Sequence, residues 1–325
     1  MSAQGNNKKK TFFCFFEKNV FLCIFLSVMA KTSGHKGIYI DPLTNFGFNL
    51  IFGDRVLLID FLNDLLRVNG GITSLTYAPT IRTGISKDDR TAIFDLYCTT
   101  GTGEHIIVEM QVVLHKNYKQ RTIYYLSRLI QEFGKRGKDW DFETPPIYQV
   151  NIVNFEIDKE LEKKDFLSRI KFMYEGINKT YYDGVTIIYL ELPLFKKKLN
   201  ELETNMDRWM YALKFLPTLI RLPNALQRGI FKQLFDMAKI AKLTRRQQND
   251  YYKSLESMNI IKNTIDDLQN TIAAKDSTIA TQAKELATRD KELATRDKEL
   301  AEYRRMYGAL NSAYATTTAA KPRKI

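Results

Sequence analysis

Residues 91–111 restrict the possible folds of this chain most strongly, because they predict two short strands joined by a tight, glycine-containing turn. Asp95 lies in the first strand, and Glu109 and Gln111 lie in the second. If the turn is centred on Thr102, Asp95 lies opposite Glu109. Side chains alternate between the two faces of a strand, so Glu109 and Gln111 share one face and Asp95 joins them across the hairpin.

Alternation assigns the other face of this hairpin to a hydrophobic core, through Phe94, Leu96, Val108, Met110 and Val112. The acidic face then has two interpretations. It is either an ordinary solvated face, or a metal site in which Mg²⁺ or Mn²⁺ compensates two carboxylates that would otherwise repel each other. The alternation by itself is compatible with both.

Strand and helix patterns mix up to about Pro193, and the apolar content of 44% is enough for a sizeable core. This mixture predicts an α/β (α+β) body over residues 35–198, in which a mixed central sheet is flanked by helices. The predicted elements are helices over 56–66 and 120–133 and strands over 72–77, 147–155, 169–174 and 185–192, with a turn near Asp183-Gly184 between the last two strands. Residues 199–264 carry only helical periodicity and are expected to form a helical extension.

Residues 265–310 contain a seven-residue repeat, which is typical of a coiled coil. The sequence KELATRD occurs twice in tandem, and the repeating apolar positions are Ile265, Ile272, Ile279, Leu286, Leu293 and Leu300. The companion positions three residues further on are mostly polar, so the apolar stripe is narrow. The repeat therefore predicts either a homo-oligomer through a parallel coiled coil or a solvated single helix, followed by a disordered tail over 311–325.

Residues 1–34 are expected to lie outside the core fold. The run from Val20 to Ala30 has the length of a signal-peptide hydrophobic region and is too short to span a bilayer. The sequence from Met29 onward is typical of the N-terminus of a soluble protein, so the segment before it could be an extension from a misassigned start codon. The other two interpretations are a signal peptide and a local membrane anchor. For the body of the protein no membrane contact is expected.

The net charge of +12 favours an anionic partner, with nucleic acid first. The three cysteines, Cys14, Cys23 and Cys98, have neither metal-ligand nor disulfide-framework spacing. They fit a reducing compartment, and a cytoplasmic location is expected. No small-molecule cofactor is indicated.

Six segments in series have the order and spacing of a known family. They are DPLTNFGFNLIFG (41–53), LLIDFLNDLL (57–66), RTAIFDLYC (90–98), IIVEMQ (106–111), QRTIYYLSRLI (120–130) and the stretch 137–155. Together they resemble the PD-(D/E)xK nuclease superfamily, whose signature is an Asp followed by Glu-x-Lys or Glu-x-Gln across a hairpin. More narrowly, the chain is similar to the PD-(D/E)xK nuclease family transposases, which are related to the Rpn recombination-promoting nucleases, and the likeness continues near Arg208-Trp209.

This resemblance implies a restriction-endonuclease-like fold and a metal-dependent DNA endonuclease that hydrolyses phosphodiester bonds. Asp95 and Glu109 would hold Mg²⁺ or Mn²⁺, with the backbone carbonyl of Met110 as a further ligand. Gln111 stands where the superfamily often has a catalytic lysine. Arg121 and Tyr124 match the R-x-x-Y helix of the family and would contact phosphate or stabilise charge in the transition state.

The opening motif departs from the family pattern at Asn45 and Asn49, where the family typically has an aspartate and a lysine. A neutral oxygen at position 45 would bind a cation more weakly than a carboxylate. The resemblance therefore leaves an alternative, in which the protein is a weakly active or inactive nuclease-fold protein that binds DNA or oligomerises.

Overall fold

The computed structural model describes residues 37–82, 92–134, 142–227 and 229–319. The leader expected over residues 1–34 lies outside these ranges. Among the described helices, none combines the length and the hydropathy needed to cross a bilayer.

The described residues alternate between strands and helices up to the end of the sheet and are helical afterwards. The helices are α1 (Asn45–Phe52), α2 (Arg55–Leu66), α3 (Tyr118–Glu132), α4 (Asn205–Phe215), α5 (Ile230–Met237) and α6 (Arg245–Ala319). The strands are β1 (Leu75–Tyr77), β2 (Ile81–Arg82), β3 (Ala92–Ile93), β4 (Leu96–Thr100), β5 (His105–Gln111), β6 (Ile147–Val153), β7 (Leu167–Met173) and β8 (Thr180–Glu191).

Six of these strands form one mixed sheet in the order β1-β4-β5-β6-β8-β7. Strand β4 pairs antiparallel with β5, while β5, β6 and β8 run parallel to one another. The parallel step from β5 to β6 needs a crossover, which α3 provides. The predicted fold class, a mixed central sheet flanked by helices, is confirmed.

The central strands β5 and β6 carry buried apolar side chains on both faces, as is usual where parallel strands form the centre of a sheet. On β5, Ile106 and Val108 belong to the larger core cluster and Ile107 to a second cluster that includes Leu126 of α3. The expectation that only the face opposite the acids packs was therefore wrong. Phe94 also lies in the second cluster, whereas Leu96 lies in the first, because a bend at Asp95 interrupts the alternation.

The turn between β7 and β8 lies at residues 174–179 and not near Asp183-Gly184, which are inside β8. Gly176 occupies this turn with φ +76°, a conformation that side chains with a Cβ rarely adopt. Asp-Gly is only a local signal. Here the pairing with β7 extends β8 back to Thr180 and overrides that signal.

The helices after residue 198 do not form a core of their own. Trp209 of α4, Phe235 of α5 and Tyr251 of α6 belong to the same cluster as Phe52 and Val108. The boundary expected between 198 and 199 therefore does not separate two hydrophobic cores. One compact unit extends to Ile260.

The N-terminal part of this unit is joined to residues far along the chain. Tyr39 forms an isolated antiparallel bridge with Lys239. The backbone N–H of Asp41 donates to the hydroxyl of Tyr251 at 3.0 Å, across 210 residues of sequence. These contacts join the first described residues of the unit to segments near its C-terminal end.

The second unit comprises the residues from 261 onward, and its described part is the continuation of α6. The helix does not end at residue 310 but continues to Ala319, so the first part of the expected disordered tail is helical. Its repeating apolar side chains Ile272, Ile279, Leu286, Leu293 and Leu300 are each at least 49% exposed in the single chain.

Candidate active site

The hairpin of β4 and β5 places Asp95 next to Glu109. Leu96 pairs with Val108, so the ladder is centred on residue 102 and the next pair outward is Asp95 with Glu109. The backbone N–H of Asp95 donates to Glu109 Oε1 at 3.2 Å, and the N–H of Met110 donates to Asp95 Oδ2 at 2.9 Å. The two carboxylates thus lie side by side at the end of the hairpin ladder, as the turn count predicts.

The turn that sets this register is held by a third carboxylate, Glu104. Its side chain accepts hydrogen bonds from the hydroxyls of Thr100 and Thr102, and its own N–H donates to Thr100 Oγ1 at 3.0 Å. Gly103 adopts φ +99° in the same turn, which favours glycine. A one-residue slip of the hairpin would break these bonds and move Glu109 to the opposite face.

Glu109 is 5% exposed, and its environment disfavours the ionised form. Burial, and after it the negative charge of Asp95, raise the pKa of Glu109 to about 8. The N–H of Asp95 and the charge of Arg121 act in the opposite direction and are too weak to offset burial. The metal-free site therefore holds a proton at neutral pH.

Asp95 is affected in the same direction. The residue as a whole is exposed, but its carboxyl lies against the second strand, and this desolvation raises its pKa. The N–H of Met110 and the charge of Arg121 lower it in part. Of the two acids, Glu109 is the one whose pKa a neighbouring cation would lower more.

Arg121 of α3 reaches the acid pair from the helix that covers this face. Its Nη2 lies 3.7 Å from Glu109 Oε2, and its Nη1 donates to Gln111 Oε1 at 3.3 Å. The guanidinium lies over the ring of Tyr125, 5.0 Å from the ring centre. The Gln111 amide nitrogen contacts His115 Nε2 at 3.3 Å, so Gln111 connects Arg121 with an exposed histidine.

The contacts described for the other predicted site residues are local ones. Tyr124 is half-buried beside Tyr125, at the edge of the second hydrophobic cluster. Asn45 and Asn49 are exposed on α1, where the Asn49 amide donates to the carbonyl and side-chain oxygens of Asn45 at 2.8 and 3.0 Å. The hydrogen bonds described for these two asparagines do not include Asp95 or Glu109.

The donor set suits a hard divalent cation. One oxygen of each carboxylate accepts a backbone N–H, so a cation would bind Asp95 Oδ1 and Glu109 Oε2, the second of which also faces Arg121 at 3.7 Å. Because the N–H and C=O of a strand residue point to the same side, the carbonyl of Met110 also faces Asp95. Within the described ranges, no group of three or more Asp, Glu, His or Cys side chains is placed to hold a metal. The side-chain ligands here would thus be two carboxylates.

Sequence patterns did not identify Tyr125, His115 or the neighbours of Glu109 on the next strand. Tyr125 follows Arg121 by four residues, a helical spacing that brings side chains together and could have indicated the contact. His115 follows Gln111 by four residues in a loop, where no such periodicity applies. Asn151 of β6 is the register partner of Glu109, and only the parallel pairing reveals this.

A family model described as PD-(D/E)XK nuclease family transposase matches residues 42–267, which is more than two thirds of the chain. This range contains the hairpin, α3 and the helices that complete the core. No curated protein and no solved structure matched the chain.

Proposed function

The chain belongs to the PD-(D/E)XK nuclease family transposases, and from that premise we propose that it is a metal-dependent DNA endonuclease. The observation that carries the proposal is the pair Asp95 and Glu109, held together across the hairpin with a raised pKa and an arginine beside them. Juxtaposed carboxylates with perturbed protonation are costly in a purely structural hairpin and useful in a metal site.

Asp95, Glu109 and the carbonyl of Met110 would hold Mg²⁺ or Mn²⁺. The bound cation would supply Lewis-acid stabilisation of phosphate charge and lower the pKa of an attacking water. Glu109 must lose its proton to act as a ligand, so cation affinity is expected to rise with pH.

Arg121 and Gln111 would act on the DNA backbone. A guanidinium donates paired hydrogen bonds to phosphate oxygens, and its charge offsets the negative charge that develops during hydrolysis. Gln111 can orient water or phosphate only by hydrogen bonding, because an amide carries no charge. Its contact with Arg121 holds the amide oxygen toward the arginine.

DNA is the proposed partner, and the net charge of +12 supports salt-sensitive binding with little sequence preference. Lys116 is exposed in the loop before α3, and Arg121 is the fourth residue of that helix. A DNA substrate also fits the cytoplasmic location expected from the scattered cysteines.

The proposal is tested with the full-length protein, supercoiled plasmid and either Mg²⁺, Mn²⁺ or EDTA. We expect nicked and then linear plasmid with either metal, no cleavage in EDTA, and no cleavage by Asp95→Ala prepared in parallel. Equal cleavage by Asp95→Ala would contradict the assignment. Plasmid binding without cleavage by the wild type would instead support the alternative of a nuclease-fold DNA-binding protein, which the neutral pair Asn45 and Asn49 favours.

We also propose that the second unit mediates homo-oligomerisation. The repeating isoleucines and leucines of α6 are exposed in the single chain, and a second copy would remove them from water. Replacing Ile279, Leu286 and Leu293 together by lysine in the full-length chain should reduce the mass measured by light scattering from dimer to monomer.

A matched control places the same charges on the opposite side of the helix, two residues further on. Thr281, Thr288 and Thr295 each donate a side-chain hydrogen bond to the carbonyl four residues earlier and are exposed. Replacing these three by lysine should leave the mass unchanged. A wild type that is already monomeric at micromolar concentration would contradict the proposed oligomer.

A further inference from the structure

The acid pair has a buried polar neighbour on the next strand. Glu109 is in register with Asn151 of the parallel strand β6, so the two side chains lie beside each other on the face covered by α3. Asn151 is 1% exposed and therefore cannot touch a substrate. A buried amide next to the acid pair requires its own hydrogen-bond partners, and those partners connect it to α3.

The orientation of the Asn151 amide is fixed by the sheet. Its Nδ2 donates to the carbonyl of Ile188 at 3.1 Å and to that of Gln149 at 3.3 Å. The amide oxygen accepts a hydrogen bond from the hydroxyl of Tyr118 at 3.4 Å. The result is a bridge from β6 to the first residue of α3.

Tyr118 is suited to anchor the start of this helix. It is 5% exposed, and its ring packs edge-on against Phe155 with 5.3 Å between ring centres. The cap residue Asn117 makes no side-chain hydrogen bond to the helix, so the first turn lacks the usual side-chain cap. Burial above all raises the pKa of Tyr118, which keeps its hydroxyl a neutral donor.

Arg121 follows Tyr118 by three residues and lies on the same side of α3. Its side chain is long and 35% exposed, and its contacts with Glu109 and Gln111 are 3.7 and 3.3 Å long. Because these contacts are long, they form only if the first turn of α3 keeps its position on the sheet. A shift of the first turn would remove them without unfolding the helix.

We propose that Tyr118 and Asn151 form a positioning pair that fixes the first turn of α3 on the sheet and so holds Arg121 against Glu109 and Gln111. The pair acts through Arg121 and touches neither DNA nor metal. Its value for catalysis rests on the proposed nuclease function, whereas its effect on Arg121 does not.

The test compares Tyr118→Phe with Tyr77→Phe in the full-length protein. Tyr77 is a half-buried tyrosine of β1, and its hydroxyl donates to the carbonyl of Phe52 in α1 at 2.7 Å, away from α3. In protein labelled with ¹⁵N-arginine, we expect the Nε–H signal of Arg121, assigned through Arg121→Lys, to broaden in Tyr118→Phe and to remain sharp in Tyr77→Phe. This readout does not require cleavage.

If the protein cleaves DNA, Tyr118→Phe should lower kcat about tenfold and leave KM for DNA unchanged, in the range seen when outer-shell partners of active-site groups are removed. In an Arg121→Gln background, Tyr118→Phe should have no further effect on kcat. An unchanged Arg121 signal in Tyr118→Phe, or equal broadening in Tyr77→Phe, would overturn the proposal, whatever the activity assay shows.

A second variant separates positioning from stability. In Tyr118→Phe the oxygen of Asn151 loses its donor, so the thermal midpoint should also fall. The double variant Tyr118→Phe/Asn151→Leu removes both members of the pair and should recover part of that loss, since the carbonyls of Ile188 and Gln149 also lose the amide as a donor, while the Arg121 signal stays broad. Recovery of the signal together with the midpoint would show that the pair is merely structural and would overturn its positioning role.

Discussion

Glu109→Gln is expected to lower the rate of Mg²⁺-dependent plasmid cleavage by at least about 100-fold. Removing an outer-shell partner of a metal ligand typically costs about 10–100-fold in affinity or activity, and loss of a ligand should cost no less. Glutamine keeps the size of the side chain and can still accept the N–H of Asp95, so the hairpin should remain intact. Cleavage rates over a range of Mg²⁺ concentrations measure the loss of activity. Calorimetric titration with Mn²⁺ separately measures the loss of metal affinity.

The matched control is Glu104→Gln, which removes a buried carboxylate from the same hairpin. Glu104 is 8% exposed and bonds the threonines of the turn, not the acid pair. This variant should retain Mn²⁺ binding and cleavage within a few-fold of the wild type. Equal losses in both variants would indicate that the hairpin tolerates no change of charge and would remove the support for Glu109 as a ligand.

Glu109→Gln also has an expected effect on the free energy of unfolding in the absence of metal. The pKa of Glu109 is about 8 in the folded state and near its ordinary value of 4.5 in the unfolded chain. Between these values the folded state binds more protons, so the free energy of unfolding decreases as pH rises. The stabilising contribution of the proton is complete below about pH 4.5 and is lost as pH passes through 8.

Glutamine does not titrate, so the thermal midpoint of Glu109→Gln in EDTA should fall less than that of the wild type between pH 6 and pH 9. Asp95, with a pKa raised in the same direction, retains part of the dependence in both proteins. Parallel pH curves for wild type and variant would contradict the burial argument for Glu109. Such curves would leave the prediction for Mg²⁺-dependent cleavage unaffected.

Trp209→Ala is expected to lower the free energy of unfolding by about 3–5 kcal/mol, the range for removing a large aromatic side chain from a core. Trp209 is 0% exposed and contacts the rings of Phe52, Phe61 and Phe231, which belong to three different helices. Its indole N–H donates to Asp60 Oδ1 at 2.8 Å. For a unit of ordinary stability, about 5–15 kcal/mol, this loss is a large fraction.

Urea unfolding followed by far-ultraviolet circular dichroism measures this change. Trp209→Phe is the control, since it keeps an aromatic ring in the core and loses the N–H donor with part of the ring volume, and its cost should be smaller than that of Trp209→Ala. If residues 199–260 formed a separate domain, Trp209→Ala would shift only part of the signal and leave a second transition in place. That result would contradict the shared core.

Local patterns predicted the hairpin well, for a physical reason. The distance of each acid from the turn fixes the register of an antiparallel pair, and the bonds of Glu104 stabilise that register. The helix expected over 56–66 also occurs, one residue longer at its start, because the carboxylate of Asp54 accepts the N–H groups of Val56 and Leu57. In both cases the information lies within one short stretch of the sequence.

Contacts between distant segments were not predictable in this way. The pairing of Glu109 with Asn151 depends on the register of two parallel strands separated by a helix, and no short pattern encodes it. Helical periodicity after residue 198 indicated apolar faces, but it did not show that Trp209 packs on α1 and α2. The departures at Asn45 and Asn49 were visible, yet only the structure places them in contact with each other.

Two long-range contacts have a consequence for the synthesis of the protein. They join Tyr39 to Lys239 and Asp41 to Tyr251. A ribosome makes the chain from its N-terminus, and the partner of Asp41 appears 210 residues later. The acid pair is therefore translated long before the segment that closes its unit, and contacts of such long range form late. We expect nascent chains that stop before Lys239 to be open and sensitive to protease, so that the proposed nuclease site is completed only when the unit has left the ribosome.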